Sequence, residues 1–131
     1  MESFDFVLID DNNLDNLINE TLVRNSGVGS SVLVFNSAKS ALDYFKRIPV
    51  HSSKVILLDL HMPDMEGTEF IEELNRFLKN RKAMYKYILL TQDEEFVKQK
   101  GKTLSSPAQE VWCKPLRIAN LERLQNEQAR D

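Results

Sequence analysis

Five short apolar runs recur along the chain: Phe6 to Ile9, Val32 to Phe35, Val55 to Leu58, Tyr87 to Leu90 and Val111 to Cys113. Each is continuous rather than alternating, the pattern of strands buried on both faces of a helix-covered parallel sheet. The segments between them carry a helical period instead. Leu14, Leu17, Ile18 and Leu22 form one stripe, and Ala38, Ala41, Leu42 and Phe45 a second. Phe70, Ile71, Leu74, Phe77 and Leu78 form a third, and Ile118, Leu121 and Leu124 a narrower one near the end. Each stripe predicts the face a helix lays on the sheet. The stretch from Asp93 to Lys102 has only Phe96 and Val97 as large apolar residues and predicts a short, weakly anchored helix. Ser37 is placed to cap the second helix, while Gly27 and Gly101 suit helix ends.

A β-α unit repeated five times predicts an α/β fold, an open doubly wound sheet of five parallel strands. Right-handed crossovers carry the helices to both faces. A length of 131 residues suits a single domain over 1–131, with no internal repeat or linker.

Composition acts mainly by exclusion. A chain 42% hydrophobic and 28% charged reads as soluble and globular, and a net charge of −3 argues against a nucleic-acid binder. Lys79, Arg81, Lys82 and Lys86 cluster in sequence but read as a solvated turn near a helix end. The one cysteine, Cys113, cannot form an internal disulfide and reads as a small apolar residue ending a buried strand. The first five residues lack a signal-peptide pattern, and no apolar stretch approaches the ~20 residues of a bilayer span. The expected location is cytoplasmic.

The candidate chemistry follows the strands. Asp10 and Asp11 come after the first run, Asp59 after the third, Thr91 after the fourth and Lys114-Pro115 after the fifth. In open parallel sheets ligands bind beyond the carboxyl ends of the strands. Carboxylates gathered there would repel one another without a cation. Mg²⁺ takes carboxylates, a carbonyl and waters, and leaves room for phosphate oxygens. A bound phosphoryl group could then be balanced by Mg²⁺, the Lys114 ammonium and the Thr91 hydroxyl. Taken singly, each piece has a plainer reading. Asp10-Asp11 could be an acidic pair at a helix N-terminus, and Asp59 a strand-end turn former. His61 and His51 lack metal-ligand spacing, Met62 and Met65 read as packing residues, and Trp112 reads as core.

Together with Asp59-Leu60-His61-Met62-Pro63-Asp64-Met65-Glu66-Gly67, these residues resemble the response-regulator receiver family, whose loop reads Asp-x-x-Met-Pro-x-Met-(Asp/Glu)-Gly. The resemblance runs over essentially the whole chain. It implies a flavodoxin-like sheet of order 2-1-3-4-5, in which Asp10, Asp11 and Asp59 converge. It implies that Asp59 is the phosphoacceptor, receiving its phosphoryl group from a sensor histidine kinase or a phosphotransfer protein. Mg²⁺ would be held by Asp11, Asp59 and the backbone carbonyl of His61, with Asp10 acting mainly through water. Lys114 would contact the phosphoryl group, Thr91 would move to bond it, and Pro115 would follow a cis peptide bond. Such a chain is a phosphorelay switch and not an enzyme, beyond catalysing its own phosphorylation and dephosphorylation. It would control a downstream protein as a monomer or weak homodimer, without touching nucleic acid or membrane itself. A Mg²⁺-dependent phosphatase fits poorly, because the position two after Asp59 is His61 rather than a second carboxylate.

Two positions depart from the family pattern. Val111 stands three residues before Lys114, where the family often has Tyr or Phe, and Trp112 beside it should face the other way. Gln92 is bulky where the family usually has a small residue. These departures define the alternative, a degenerate receiver that binds a partner independently of phosphorylation.

Overall fold

Strands and helices alternate as the apolar pattern predicts. The computed structural model describes residues 4–48, 53–79, 85–100 and 110–130. In chain order they form β1 (Phe4–Ile9), α1 (Asn13–Ser26), β2 (Gly29–Phe35), α2 (Ala38–Arg47) and β3 (Lys54–Asp59). There follow α3 (Gly67–Leu78), β4 (Tyr85–Thr91), α4 (Glu94–Lys100), β5 (Glu110–Cys113) and α5 (Ile118–Arg130). All strand pairings are parallel, in the order β2-β1-β3-β4-β5. This is the flavodoxin-like, doubly wound arrangement.

In β1, β3 and β4 the continuous apolar runs are explained by two cores. On the edge strand β2, Leu33 and Val34 stand exposed, contrary to the burial on both faces expected of that run. Alternate residues of β1 serve opposite faces: Val7 and Ile9 pack with α2 and α3, while Phe6 and Leu8 pack with Val23 of α1 and Leu121 and Leu124 of α5. A strand between two cores has no face on which a polar residue is cheap, so alternation disappears.

The stripes of α2 and α3 lie where expected, with Ala38, Ala41, Leu42, Phe45, Phe70, Ile71, Leu74 and Leu78 buried. Phe77 and Ile118 depart from their stripes and are partly exposed. The first stripe is overturned except at Leu22, which packs partly buried against the core facing α5. Leu14, Leu17 and Ile18 are 63%, 60% and 53% exposed, and the inward face of α1 is Asn16, Asn19 and Val23. The cause is visible at Asn16, whose amide donates to the carbonyls of Asp10 (2.8 Å) and Phe35 (3.4 Å). Strand-end carbonyls require donors, and meeting that requirement turns the leucine stripe outward.

The caps follow the sequence: Ser37 accepts from the Ser40 N–H, and Gly27 ends α1 at φ 76°. Cys113 is exposed on the edge strand β5, contrary to the buried position expected of it. Trp112 is buried in the core facing α5, and its indole N–H donates to Glu110 Oε1 at 2.7 Å. Lys86 pairs with Glu110 and Glu127. His51, Arg81, Lys82, Gly101 and Lys102 lie outside the described residues. Among the described residues, no helix is long and apolar enough to cross a membrane.

Candidate functional site

The strand register aligns the carboxyl ends that matter. Ile9 pairs with Leu58, Asp59 with Leu90, and Thr91 with Cys113, so the residues that follow meet at one edge of the sheet. There Asp10, Asp11 and Asp59 each present a carboxylate oxygen within 4.8 Å of the others. Lys114 reaches in from the end of β5, placing Nζ 3.0 Å from Asp10 Oδ2 and 3.2 Å from Asp59 Oδ1. Its backbone N–H donates to the Thr91 carbonyl at 2.8 Å, and the Lys114–Pro115 peptide is cis. Thr91 is buried, and its hydroxyl oxygen accepts from the Asp93 N–H at 3.0 Å. Together these groups line an opening of about 300 Å³.

The β3–α3 loop is fixed by close backbone contacts. The Gly67 N–H donates to the Leu60 carbonyl at 2.7 Å. A Cβ at Gly67 would lie 2.6 Å from the Asp59 carbonyl oxygen and 2.7 Å from Leu89 Cδ2, so only glycine lets α3 start this near β3. Asp64 accepts from the Lys39 N–H at 2.8 Å, tying the loop to the first turn of α2, and Met62 is buried. The His61 side chain stands exposed at the rim, with Nδ1 2.9 Å from Glu66 Oε2.

Electrostatics favour a cation. Burial pushes the Asp59 carboxyl above the ordinary carboxylate range, Lys114 draws it back, and Asp10 and Asp11 push it up again. Burial works against the Lys114 ammonium, but its hydrogen bond to Asp10 and the charges of Asp10 and Asp59 outweigh that and hold its pKa above the usual lysine value.

The five strand-end residues singled out in the sequence therefore come together, with His61 at the edge of the group. Val111 packs toward the α2–α3 core and Trp112 toward α5, on opposite faces as alternation requires. Two participants were not anticipated. Asp15 lies 3.4 Å from Lys114 Nζ, and Asn16 holds the Asp10 carbonyl. Asp15 stands in the first turn of α1, whose start the Asn12 cap marks, and that cap was the available signal.

The model of the response regulator receiver domain matches residues 6–125, and the chain belongs to that family. It is similar to a response regulator receiver protein of Dyadobacter fermentans, with 29% identity over 95% of this chain and 97% of that one and a TM-score of 0.79. A two-component response regulator from Cytophaga hutchinsonii superposes with a TM-score of 0.85 at 22% identity, over 99% of this chain and 100% of that one. The chemotaxis response regulator CheY4 of Vibrio cholerae gives a TM-score of 0.71 at 20% identity, covering 96% and 98%. The last two likenesses speak for the fold alone. No curated protein matches the sequence.

Proposed function

We propose that this receiver accepts a phosphoryl group on Asp59 from a phosphohistidine, in a two-component pathway, and changes the state of a partner protein in response. One observation carries the reading: three carboxylates share the pocket with a lysine bonded to two of them. Asp15 and Asp93 line the same pocket, so the carboxylates far outnumber the one ammonium, and a divalent cation such as Mg²⁺ would relieve part of that excess. The donor set is all oxygen, as that ion prefers. Asp11, Asp59 and the His61 carbonyl would hold it. Bound there, Mg²⁺ supplies neutralisation of the charge that builds on phosphoryl oxygens during transfer.

The chain's own groups account for the rest. An Asp59 carboxylate oxygen attacks phosphorus, the P–N bond to the donor imidazole breaks, and that nitrogen is left to take a proton. Lys114 Nζ stands ready to follow charge from the carboxylate to the phosphoryl oxygens. Thr91 accepts the Asp93 N–H on its oxygen, which leaves its O–H free to donate to a phosphoryl oxygen. The donor's histidine must enter at the pocket mouth, and the exposed Leu14 and Ile18 give its carrier an apolar footing on α1, beside Asp15.

Mass spectrometry after incubation with acetyl phosphate and Mg²⁺ tests the proposal. One phosphoryl adduct is expected on the wild type and none on Asp59→Asn; an adduct that survives in the mutant removes Asp59 from the role. A second reading, a binding module that takes no phosphate, draws on Val111 and the exposed, bulky Gln92 at the mouth. Absence of any adduct on the wild type would select it.

A further inference from the structure

Five aspartates line the mouth of the acid pocket, Asp10, Asp11, Asp15, Asp59 and Asp93, and Lys114 carries the one ammonium among the lining residues. Four of the five are otherwise engaged. Asp10 accepts the Asn12 N–H, Asp93 Oδ1 caps the Phe96 N–H, and Asp11 and Asp59 are the carboxylates assigned to the cation. Asp15 is held at the rim by its place in the first turn of α1, where its N–H donates to Asn12 Oδ1 at 3.0 Å. Its side chain is 37% exposed, and Oδ2 lies 3.4 Å from Lys114 Nζ. An ammonium has three N–H bonds to give, and this one faces Asp10 at 3.0 Å, Asp59 at 3.2 Å and Asp15 at 3.4 Å. Asp15 thus occupies part of the positive charge that the phosphoryl oxygens need. One divalent ion and one ammonium do not balance five carboxylates, so the loaded pocket still presents negative charge at its mouth.

We propose that Asp15 is a specificity-determining residue, one that turns small anionic phosphodonors away from Asp59. The role rests on the reading of Asp59 as phosphoacceptor. Two effects act with the same sign. The carboxylate repels a dianion entering the cleft, whose low-dielectric walls focus the field. It also holds Lys114 back from the incoming phosphoryl oxygens. In transfer from acetyl phosphate an Asp59 oxygen attacks phosphorus, the P–O bond to the acetyl group breaks, and acetate leaves. A phosphohistidine carried by a protein meets the same repulsion but offsets it with contacts on the exposed Leu14 and Ile18, which flank Asp15 on α1. A small donor has no such contacts.

The test is the initial rate of phosphoryl adduct formation on the full chain in saturating Mg²⁺, followed by mass spectrometry. The donors are acetyl phosphate, a dianion at neutral pH, and phosphoramidate, a monoanion that releases ammonia. At low ionic strength Asp15→Asn should react with acetyl phosphate about tenfold faster than the wild type, with a smaller gain for phosphoramidate. The gain should shrink below about twofold in ~1 M salt, since the rim is open to screening ions. Asp15→Glu keeps the charge and should stay within about twofold of the wild type. The proposal falls if Asp15→Asn is no faster with acetyl phosphate, if its gain is the same at both salt concentrations, or if Asp15→Glu gains as much as Asp15→Asn. An adduct on Asp59 with no effect of Asp15 overturns this role alone. If neither the wild type nor Asp15→Asn takes an adduct from either donor, the phosphoacceptor reading falls and this role falls with it.

Discussion

Asp10 and Asp11 are neighbours in sequence with different duties in space. Both oxygens of Asp10 are engaged, Oδ1 by the Asn12 N–H at 2.9 Å and Oδ2 by Lys114 at 3.0 Å, whereas Asp11 is exposed. Asp11→Ala should therefore weaken Mg²⁺ binding by more than about 100-fold and Asp10→Ala by about 10-fold, the cost of an outer partner. Calorimetric titration of both variants checks this, and equal losses would put Asp10 against the ion directly. Asp59 makes a pH-dependent prediction. Its folded pKa is raised above 3.8, so the native state binds this proton more tightly than the unfolded chain does. The stability it contributes is full below 3.8 and is lost as pH rises through the raised value. In metal-free buffer Asp59→Asn should accordingly be more stable than the wild type at neutral pH, and the gap should close toward acid. Denaturant midpoints across that range measure it, and a gap that widens on acidification would reverse the sign.

At the scale of single elements, α1 and α4 matter most. Ile18→Ser should change stability by less than about 0.5 kcal/mol, as exposed positions do. Val23→Ala on the inward face should cost about 2 kcal/mol. Ile18→Ser should also slow transfer from a phosphohistidine donor while leaving the reaction with acetyl phosphate unchanged; equal rates with both donors would remove α1 from docking. The lead-in to α4 is a short chain of bonds, in which Asp93 N–H donates to Thr91 Oγ1 and Asp93 Oδ1 caps the Phe96 N–H. A turn of Thr91 toward a phosphoryl oxygen would break the first link of that chain. Amide exchange with beryllofluoride and Mg²⁺ should change most from Gln92 to Lys100 and little from Val32 to Phe35; unaltered protection near Gln92 would mean acceptance without switching. These two helices also mark what the sequence could disclose. The strands, the caps at Ser37 and Gly27 and the strand-end acids were legible because runs, turn residues and order in the chain encode them directly. The inward face of α1 was not, because periodicity counts apolar residues and is blind to strand-end carbonyls in need of an amide. Cys113 misled for a related reason: an edge strand reads like an interior one until its neighbours are known.

For the whole molecule, the pocket belongs to no single element, so occupying it should steady the entire fold. Mg²⁺ at ten times its dissociation constant should add about 1.4 kcal/mol to unfolding stability, by mass action on the native state. Thermal or denaturant unfolding at graded Mg²⁺ measures this, and Asp11→Ala should lose most of the gain; an equal gain in that variant would mean the ion binds elsewhere. The bond from Lys114 to Asp10 spans 104 positions of the chain, and that span has a consequence for synthesis. Domains emerge from the ribosome beginning at the N-terminus, a few residues to tens of residues each second. The three acids are therefore made, and β1 and β3 can pair to gather them, while the lysine that balances them is still untranslated. During that interval the acids lack their built-in counter-charge, and a dissolved divalent cation such as Mg²⁺ would suit the half-made domain.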